Sequence, residues 1–385
     1  MGYKTRVMLP GPPVAHIHLD ALVANYVLAR RLAGTRRVIA VIKADAYGHG
    51  AVRLARVLAS VGCERLAVAR VTEAAALRDA GVALPILILC GVQDAEEARA
   101  TLALGATPVV HHDGQLALLR DAARHRGARA AIHVEIDTGM RRLGVSPERA
   151  SAFLASVGSD PQLRLEGLLT HLARADEGDL GPSIEQLRAF RRILGEAARL
   201  NPLPGIIHVA NSAGLAAGDL LAKELPEANA VRPGLMLYGV EPRTGTARGA
   251  LPLRPVMTLA TRVVQVRDVG TGDAVGYGAT WRSTAPKRIA TLAIGYGDGV
   301  PWSLGNRGEV LLRGRRVPMV GRVSMDLITV DAGEAAVGDE AILFGEGLPI
   351  EEVAARAGTL PYELLTRVGA RVPRVVVEGG PSPVV

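Results

Sequence analysis

The stretch VIAVIKADAYGHG at 38–50 sets the pattern from which we infer the fold. It opens with a run that is apolar on both faces, and that run ends in Lys43 before a loop. Such runs alternate with segments of helical spacing, a pattern typical of a parallel sheet covered on both sides. The eight runs are VIAVIK (38–43), RLAVAR (65–70), PILILC (85–90), PVVHH (108–112), AIHVEI (131–136), LEGLLT (165–170), GIIHVA (205–210) and GLMLYG (234–239).

Eight units of this kind favour an α/β fold built on a closed (β/α)₈ barrel of the TIM type. An open doubly wound sheet remains the alternative, because the sequence does not show closure. Helix signals lie between the runs: a helical pattern over 72–80, Ser146-Pro147 as a cap with a first-turn proline, and a capping box from Ser183 to Gln186. In such barrels the site lies at the carboxyl ends of the strands, so the residues after each run are the candidates.

The pattern changes after about residue 245. Short strand-like runs and turns extend to 344, followed by two short helices within 350–368 and a last strand at 374–377. We therefore predict a barrel domain over 1–245 and a second, mostly β domain over 246–385. The AHIHLD run at 15–20 precedes the first barrel strand by a helix, and it is a candidate strand of the C-terminal sheet.

Composition excludes several classes of protein. The 385 residues are 49% apolar, 22% charged and 3% aromatic, which excludes collagen, coiled coil and intrinsic disorder. No apolar run reaches the ~18 residues of a membrane helix. The net charge of +7 is spread among acidic residues, with few aromatics for base stacking, so we predict no nucleic-acid partner.

The two cysteines, Cys63 and Cys90, are too few for a disulfide framework or a cysteine-based metal site. The first fifteen residues, MGYKTRVMLPGPPVA, lack the uninterrupted apolar core of a signal peptide. We therefore predict a cytoplasmic protein with no metal.

Lysine is scarce in this chain. The only lysines are Lys4, Lys43, Lys223 and Lys287, whereas arginine supplies the other basic side chains. Lysine can lose its proton and form a Schiff base, which arginine cannot. The lysine at the end of the first barrel strand is thus a candidate amine, with an ion pair to Asp45 as the alternative interpretation.

Polar residues follow several other runs. A charged cluster of Glu135, Asp137, Arg141 and Arg142 follows the fifth run, where a rim network of salt bridges is the alternative. His171 follows the sixth run, and a buried core histidine is the alternative there.

A phosphate site is predicted at the seventh and eighth runs. Asn211 and Ser212 open a helix, where free N–H groups suit an anion, although Ser212 is an equally good plain cap. Arg232 and Gly234 precede the predicted eighth strand, where the glycine lets backbone approach a ligand. An amine, a phosphate cup and an arginine together meet the needs of pyridoxal phosphate.

Eight motifs carry a resemblance to a known family. VIKADAYGHG, DTGMRRLGV, LLTHLA, HVANSAG, VRPGLMLYG, VGYGATW, AIGYGDG and VGRVSMD occur in this order. They resemble the alanine racemases, fold-type III pyridoxal-phosphate enzymes with an N-terminal barrel and a C-terminal β domain. The resemblance extends from about residue 15 to Arg374.

The resemblance implies a two-base racemisation of L- and D-alanine, supplying D-alanine for peptidoglycan. Lys43 holds the cofactor covalently and is the base on one face of the substrate α-carbon. Tyr277 is the base on the other face, and in the family the second subunit of a head-to-tail homodimer supplies it. Because a tyrosine starts with a pKa near 10, it needs nearby positive charge or hydrogen bonds to act near neutrality.

The resemblance also assigns binding roles. Arg232 faces the pyridine nitrogen, and because a guanidinium stays charged it does not protonate the ring. His171 lies beside the ring, and Arg142 with the backbone of Met325 contacts the substrate carboxylate, while Tyr296 guards the entrance. The other implied cofactor-binding residues are Tyr47, Asn211, Ser212, Gly234 and Leu235.

Two positions depart from the family pattern. Glu135 stands where many members have a carbamylated lysine, and a glutamate supplies similar negative charge to orient Arg142. Ala370 stands where the family has a phosphate-binding tyrosine before Arg-Val-Pro-Arg. Losing that phenol enlarges the pocket, which opens the question of strict alanine specificity.

Three other functions compete with this interpretation. A broader racemase would accept serine or other small side chains. A decarboxylase of basic amino acids shares the barrel-plus-β plan but not this motif set. A non-enzymatic cofactor-binding protein would lack the C-terminal domain that carries Tyr277.

Overall fold

The computed structural model describes residues 13–200, 202–243 and 251–377, and these form two compact units. One unit comprises residues 22–254, and the other combines 13–21 with 255–377. The two units divide between residues 254 and 255, and the predicted boundary at 245/246 lies outside the described residues. The first strand, β1 (Val14–His18), lies in the second unit because it pairs with strands there.

The first unit is a closed barrel of eight parallel strands, which confirms the predicted barrel. Its last strand pairs with its first, and this closure excludes the open sheet. The strands are β2 (Arg37–Val41), β3 (Arg65–Val68), β4 (Ile86–Ile88), β5 (Thr107–Val110), β6 (Ala130–Glu135), β7 (Leu163–Leu169), β8 (Ile206–His208) and β9 (Ala230–Val231).

Ten helical segments of the described residues precede or separate these strands. They are α1 (Leu19–Ala33), α2 (Lys43–Gly48), α3 (Ala51–Ser60), α4 (Val71–Asp79), α5 (Ala95–Ala103), α6 (Asp113–Arg126), α7 (Pro147–Gly158), α8 (Gly181–Leu200), α9 (Ser212–Ala216) and α10 (Leu220–Glu224). Ser146 occupies the N-cap position of α7 ahead of Pro147, as predicted, although its side chain makes no capping hydrogen bond. The predicted capping box from Ser183 is wrong, because α8 begins two residues earlier, at Gly181.

The predicted eighth strand at 234–239 is also wrong. Leu235–Tyr238 form a 3₁₀ helix, and the strand is the preceding pair Ala230–Val231. Pro233 has no N–H to donate to a neighbouring strand, so the pairing cannot continue through it. Arg232 therefore follows the last strand instead of preceding it, and this places it at the carboxyl end of the barrel.

The second unit is built on an eight-stranded sheet with the path β15-β14-β17-β10-β1-β18. β13 joins β10, and β16 joins β13. The strands that join β1 in this sheet are β10 (Met257–Val269), β13 (Lys287–Leu292), β14 (Glu309–Leu312), β15 (Arg315–Pro318), β16 (Ile328–Asp331), β17 (Glu340–Phe344) and β18 (Arg374–Val377). A separate two-stranded sheet consists of β11 (Ala274–Val275) and β12 (Trp281–Arg282). Two helices, α11 (Ile350–Ala357) and α12 (Pro361–Arg367), precede the last strand.

Across the described ranges, no helix has the length and apolar character that crossing a bilayer requires.

Candidate active site

Lys43 opens a segment of inverted handedness. In α2, Ala44 through Tyr47 have φ of 52–53°, although L-residues disfavour this region by roughly 1–2 kcal/mol each. Backbone hydrogen bonds to carboxylates hold the segment: the Ala44 N–H donates to Glu73 Oε1 at 2.5 Å, and the Ala51 N–H donates to Asp45 Oδ1 at 2.7 Å. Strain of this kind concentrates at functional sites.

The Asp45 carboxylate is thus engaged with backbone, and it is not an ion-pair partner of Lys43. Within the described part of the chain, no acidic side chain lies within 4.0 Å of the Lys43 ammonium. Burial lowers the pKa of Lys43 and outweighs the raising effect of Cys90, while Arg142 lowers it and Glu73 raises it by smaller amounts. A lowered pKa increases the fraction of neutral amine, the form that attacks a carbonyl.

Arg232 is buried at the carboxyl end of the barrel. Its Nη1 donates to the His208 carbonyl at 2.9 Å and lies 2.8 Å from His208 Nδ1. Its Nη2 donates to the Thr170 carbonyl at 3.0 Å and lies 3.2 Å from His171 Nδ1. Burial lowers the pKa of Arg232 to about 10, so the guanidinium remains charged at neutral pH.

His171 is also held in its neutral form. Burial lowers its pKa to about 3, and the charges of Arg232, Arg142 and Lys43 act in the same direction. A neutral imidazole that accepts from Arg232 at Nδ1 carries its proton on Nε2. The structure therefore brings Lys43, Arg142 and Arg232 within electrostatic range of His171.

Glu135 ends β6 and is buried beside His111. Its Oε2 lies 3.3 Å from His111 Nδ1, and His111 Nε2 lies 3.1 Å from the Leu89 carbonyl. Burial raises the pKa of Glu135, while Arg232 and Arg142 lower it. Burial lowers the pKa of His111 to about 4.

The loop after Glu135 presents Arg142 to solvent. The Asp137 carboxylate accepts from the N–H groups of Gly139 and Arg141, both at 3.0 Å, and so folds the loop. Asp137 is thus committed to the loop backbone and does not join a rim salt bridge. Arg142 is exposed and donates no hydrogen bond within the described residues, so its guanidinium can receive an anion.

Ser212, Gly234 and Tyr47 form a small cradle. Ser212 Oγ accepts from the N–H groups of Gly234 at 2.9 Å and Met236 at 3.2 Å. These two bonds use both lone pairs of the hydroxyl, so a ligand meets it as a donor, which suits a phosphate oxygen. A Cβ at position 234 would lie 2.7 Å from Tyr47 Oη, so the close approach requires glycine there.

Asn211 and Leu235 have supporting positions. The Asn211 side chain caps α9 by accepting from the Gly214 N–H at 3.0 Å, so one of the N–H groups expected to face a phosphate is already paired. Leu235 is buried at the start of the 3₁₀ helix. These residues fit pyridoxal phosphate. Lys43 has a lowered pKa, Arg232 is buried and charged, and the Ser212 hydroxyl can donate to a phosphate next to the glycine at 234.

The second unit carries the remaining candidates on exposed positions. Tyr277 is 72% exposed in a turn whose Gly276 and Gly278 both have positive φ. Tyr296 and Met325 are 45% and 53% exposed. The Met325 carbonyl accepts from the Gly297 N–H at 2.9 Å, whereas its own N–H has no partner among the described residues.

Ala370 is exposed beside an engaged arginine. Arg371 Nε donates to Asp298 Oδ1 at 2.6 Å, and Arg371 Nη2 donates to Asp326 Oδ1 at 2.8 Å. These two ion pairs commit the Arg371 side chain, so it does not replace the missing phenol.

Sequence reasoning missed four residues that support this site. Glu73, His111, His133 and Glu166 lie in α4, at the end of β5 and within β6 and β7, among ordinary helix and strand patterns. A polar residue inside an apolar strand was the only signal, as with His133 between Ile132 and Val134.

Comparisons with known proteins cover nearly the whole chain. The family model "Alanine racemase, N-terminal domain" matches residues 17–242, and "Alanine racemase, C-terminal domain" matches 256–376. The alanine racemase of Syntrophobacter fumaroxidans is 43% identical over 366 residues, which cover 92% of this chain and 94% of that protein.

Solved structures agree with these matches. The biosynthetic alanine racemase from Pseudomonas aeruginosa superposes with a TM-score of 0.85 at 38% identity, covering 96% of this chain and 100% of that one. An alanine racemase from Bartonella henselae with covalently bound pyridoxal phosphate gives a TM-score of 0.86 at 31% identity, again covering 96% and 100%.

Proposed function

This chain belongs to the alanine racemase family and is a pyridoxal-phosphate-dependent isomerase of L- and D-alanine, and we propose that Lys43 and Tyr277 are its two catalytic acid–base groups. The observation that carries the proposal is the position of Lys43. Its amine has a lowered pKa, lies at the carboxyl end of the first barrel strand, and is within electrostatic range of Arg142 and His171.

Bound pyridoxal phosphate supplies an electron sink that stabilises negative charge at the substrate α-carbon. The Lys43 amine would hold the cofactor covalently, and the Ser212 hydroxyl would donate to its phosphate, with Gly234 leaving room for the phosphate to approach the backbone. Tyr47 closes the cradle on one side, and Asn211 and Leu235 fix the turns around it. Arg232 would face the ring nitrogen, with His171 beside it, and its guanidinium would remain charged without protonating that nitrogen.

Racemisation requires one proton to leave the α-carbon and another to arrive on the opposite face. Lys43 exchanges the proton on one face, and Tyr277 exchanges it on the other. Arg142 and the Met325 N–H bind the substrate carboxylate, and Glu135 supplies the negative charge that orients Arg142. Tyr296 lies at the entrance and limits what enters.

We further propose a homodimer in which Tyr277 serves the site of the partner subunit. Tyr277, Trp302 and Met325 are 72%, 58% and 53% exposed, an unusual share of large apolar surface for one region. Trp302 packs on the Arg322 guanidinium at 5.7 Å, and Arg322 also borders Gly278. These contacts place Trp302 near the Tyr277 turn, so a single patch is available to a second copy.

The proposed compartment is the cytoplasm, where the product D-alanine would enter peptidoglycan synthesis. Cys63 and Cys90 are both free thiols, which suits a reducing environment.

One experiment tests the two catalytic groups and the shared site together. Lys43→Ala and Tyr277→Phe are purified separately, each expected to lose roughly 10²–10⁴-fold in racemisation rate. After subunit exchange at equal amounts, half of the dimers are mixed and each has one intact site, so about a quarter of the wild-type activity should return.

No recovery on mixing, although exchange is shown by mass-tagged subunits, would contradict a shared site. Full activity of either variant alone would remove that residue from the mechanism. Borohydride reduction of the wild type should fix the cofactor on the peptide that contains Lys43, and a label on Lys223 or Lys287 would contradict that assignment.

A further inference from the structure

A line of hydrogen-bonding side chains runs through the barrel interior, away from the proposed site. Arg232 Nη1 lies 2.8 Å from His208 Nδ1, and His208 Nε2 lies 2.7 Å from His133 Nδ1. His133 Nε2 in turn lies 3.5 Å from Glu166 Oε1. Both histidines are fully buried, whereas the Glu166 side chain is 15% exposed at the far end of the line.

The guanidinium at the Arg232 end fixes the direction of the hydrogen bonds along the line. A guanidinium only donates, so His208 Nδ1 must accept and the His208 proton must lie on Nε2. That proton is donated to His133 Nδ1, so the His133 proton lies on its own Nε2 and points at Glu166. Arg65 Nη1, 3.4 Å from the same Nε2, faces another donor and does not bond to it in this state.

Both histidines must therefore be neutral, because a second proton on either would place two donors face to face. Burial lowers the pKa of His133 to about 4 and that of His208 well below its usual range, in agreement with the geometry. The Glu166 carboxylate faces His133 Nε2 across 3.5 Å, an electrostatic contact rather than a formed hydrogen bond, and it also pairs with Arg65 at 2.6 Å and Arg164 at 2.9 Å.

Two backbone features place these side chains. In the β6–β7 ladder Ile132 pairs with Leu165 and His133 pairs with Gly167, so Glu166 is the extra residue of a β-bulge. A bulge re-aims a side chain, and here it brings the carboxylate to His133. A Cβ at position 167 would lie 2.5 Å from the His133 ring, so the imidazole occupies space that only glycine leaves open.

We propose that Glu166 and His133 are positioning residues that orient Arg232 for the reaction. An acceptor-only carboxylate at one end sets the tautomers of both histidines, and these present a lone pair to Arg232 at the other end. The guanidinium is thereby held in one orientation with its charge intact. The inference rests on the proposed function only in the role of Arg232 beside the cofactor ring.

Glu166→Gln is the informative variant because it keeps the shape of the side chain but adds a donor. The amide NH₂ can then donate to His133 Nε2, which would reverse both tautomers and set a His208 N–H against Arg232. Glu166→Asp keeps the acceptor-only chemistry and is the conservative variant. Glu224→Gln is the matched control, since Glu224 pairs with Arg188 in an exposed contact remote from any histidine.

The first measurement is ¹⁵N NMR of histidine-labelled holoenzyme. In the wild type and in the Glu224→Gln control, His133 and His208 should both be Nε2–H tautomers from pH 6 to pH 9. In Glu166→Gln a second tautomer should appear, and Glu166→Asp should restore the first. A wild-type His208 protonated on Nδ1 would overturn the proposal, even if Glu166→Gln failed to fold.

The second measurement separates positioning from simple stabilisation. Glu166→Gln should lower kcat roughly 10-fold, the order found when a supporting hydrogen-bond partner is lost, and should shift the cofactor absorption band. KM should stay within about 2-fold, because Arg232 does not bind the substrate carboxylate. Unchanged kcat and spectrum in a folded variant would overturn the proposal. Absence of racemisation in the wild type would instead reject the proposed function and leave the tautomer result to decide this inference.

Discussion

At the residue scale, Ala370 is one of the two positions at which the sequence departs from the family pattern. By the family resemblance a tyrosine stands here and contributes both a phosphate hydrogen bond and bulk. In this chain Ala370 is exposed. Ion pairs with Asp298 and Asp326 hold the neighbouring Arg371 side chain, so it does not take the place of the tyrosine ring. The proposed pocket is therefore wider than in members that carry the tyrosine.

We predict that L-serine is racemised at a measurable fraction of the L-alanine rate. An added hydroxyl in an apolar pocket is discriminated by only ~1–3 kcal/mol, or about 10–200-fold in kcat/KM, so losing one wall should bring the two substrates closer together than that. Ala370→Tyr should lower the serine-to-alanine ratio roughly 10-fold. Racemisation assays on both amino acids measure it, with Ala336→Tyr, on an exposed loop, as control. Negligible serine turnover that Ala370→Tyr leaves unchanged would mean that the lost phenol is compensated.

The sequence predicts the roles of some of these residues but not of others. Lys43 could be predicted, because lysine is rare in this chain and this one ends an apolar run. Glu166 could not be predicted, because its direction depends on a β-bulge, which follows from the pairing of two strands and leaves no mark in local sequence. The His133 ring occupies space that Gly167 leaves open on the neighbouring strand, and this contact can be recognised only once the strand register is known.

At the element scale, the first turn of α4 supports the strained segment that carries Lys43. Glu73 Oε1 accepts from the Ala44 N–H, while its Oε2 accepts from the N–H groups of Ala69 at 2.7 Å and Arg70 at 3.0 Å. One carboxylate thus joins the end of β3 to the left-handed residues of α2. The start of a helix and the proposed cofactor lysine are mechanically coupled.

We predict that Glu73→Ala weakens cofactor binding as well as stability. Removing an acceptor at a helix start typically costs about 0.5–2 kcal/mol, and here the left-handed segment also loses its restraint. The Kd for pyridoxal phosphate, measured by titration of the apoprotein, should rise roughly 10-fold, which corresponds to ~1.4 kcal/mol.

Glu97→Ala is the matched control for this prediction. Glu97 occupies the same third position of α5 and accepts from the Gln93 N–H at 2.8 Å, away from Lys43. Glu97→Ala should lower the stability by a comparable amount and leave the Kd for pyridoxal phosphate unchanged. An equal effect of the two substitutions on Kd would show that only general stability is involved.

Elements were predictable where periodicity and length agreed. Seven of the eight barrel runs became strands, because their apolar residues are buried on both faces. The eighth run is equally apolar and equally buried, yet it forms a 3₁₀ helix, since burial is satisfied by either conformation and Pro233 with Gly234 redirects the chain before it. Hydrophobicity predicts which residues are buried in the barrel, but it does not predict whether they form a strand or a 3₁₀ helix.

At the scale of the whole molecule, the buried histidines make stability depend on pH. The pKa values of His111 and His133 are lowered to about 4 and that of His171 to about 3, mainly by burial. Between the unfolded pKa near 6.5 and these values, the unfolded chain binds more protons than the folded one. The free energy of unfolding therefore falls as pH is lowered through this window. Glu135, whose pKa is raised, acts in the opposite direction.

We predict that each of these histidines contributes up to ~1.4 kcal/mol per pH unit to that slope. His111→Gln should reduce the slope by about one such increment, because glutamine cannot be protonated in this range. Urea unfolding at a series of pH values from 4.5 to 7 measures it. His125→Gln, an exposed histidine of α6, should leave the slope unchanged, and an equal reduction in both variants would contradict the prediction.

The place of β1 in the sheet has a consequence for how the chain is made. Translation delivers β1 first, yet its neighbours are β10 and β18. One edge of β1 therefore stays unpaired until β10 is made, and the other until the last strand, 374–377, leaves the ribosome. The barrel lies wholly between these partners in sequence and can close earlier, as parallel units with mostly local connections. A ribosome that stops before residue 374 therefore releases a chain whose barrel is complete and whose first strand still has an open edge, the kind of edge that recruits other chains.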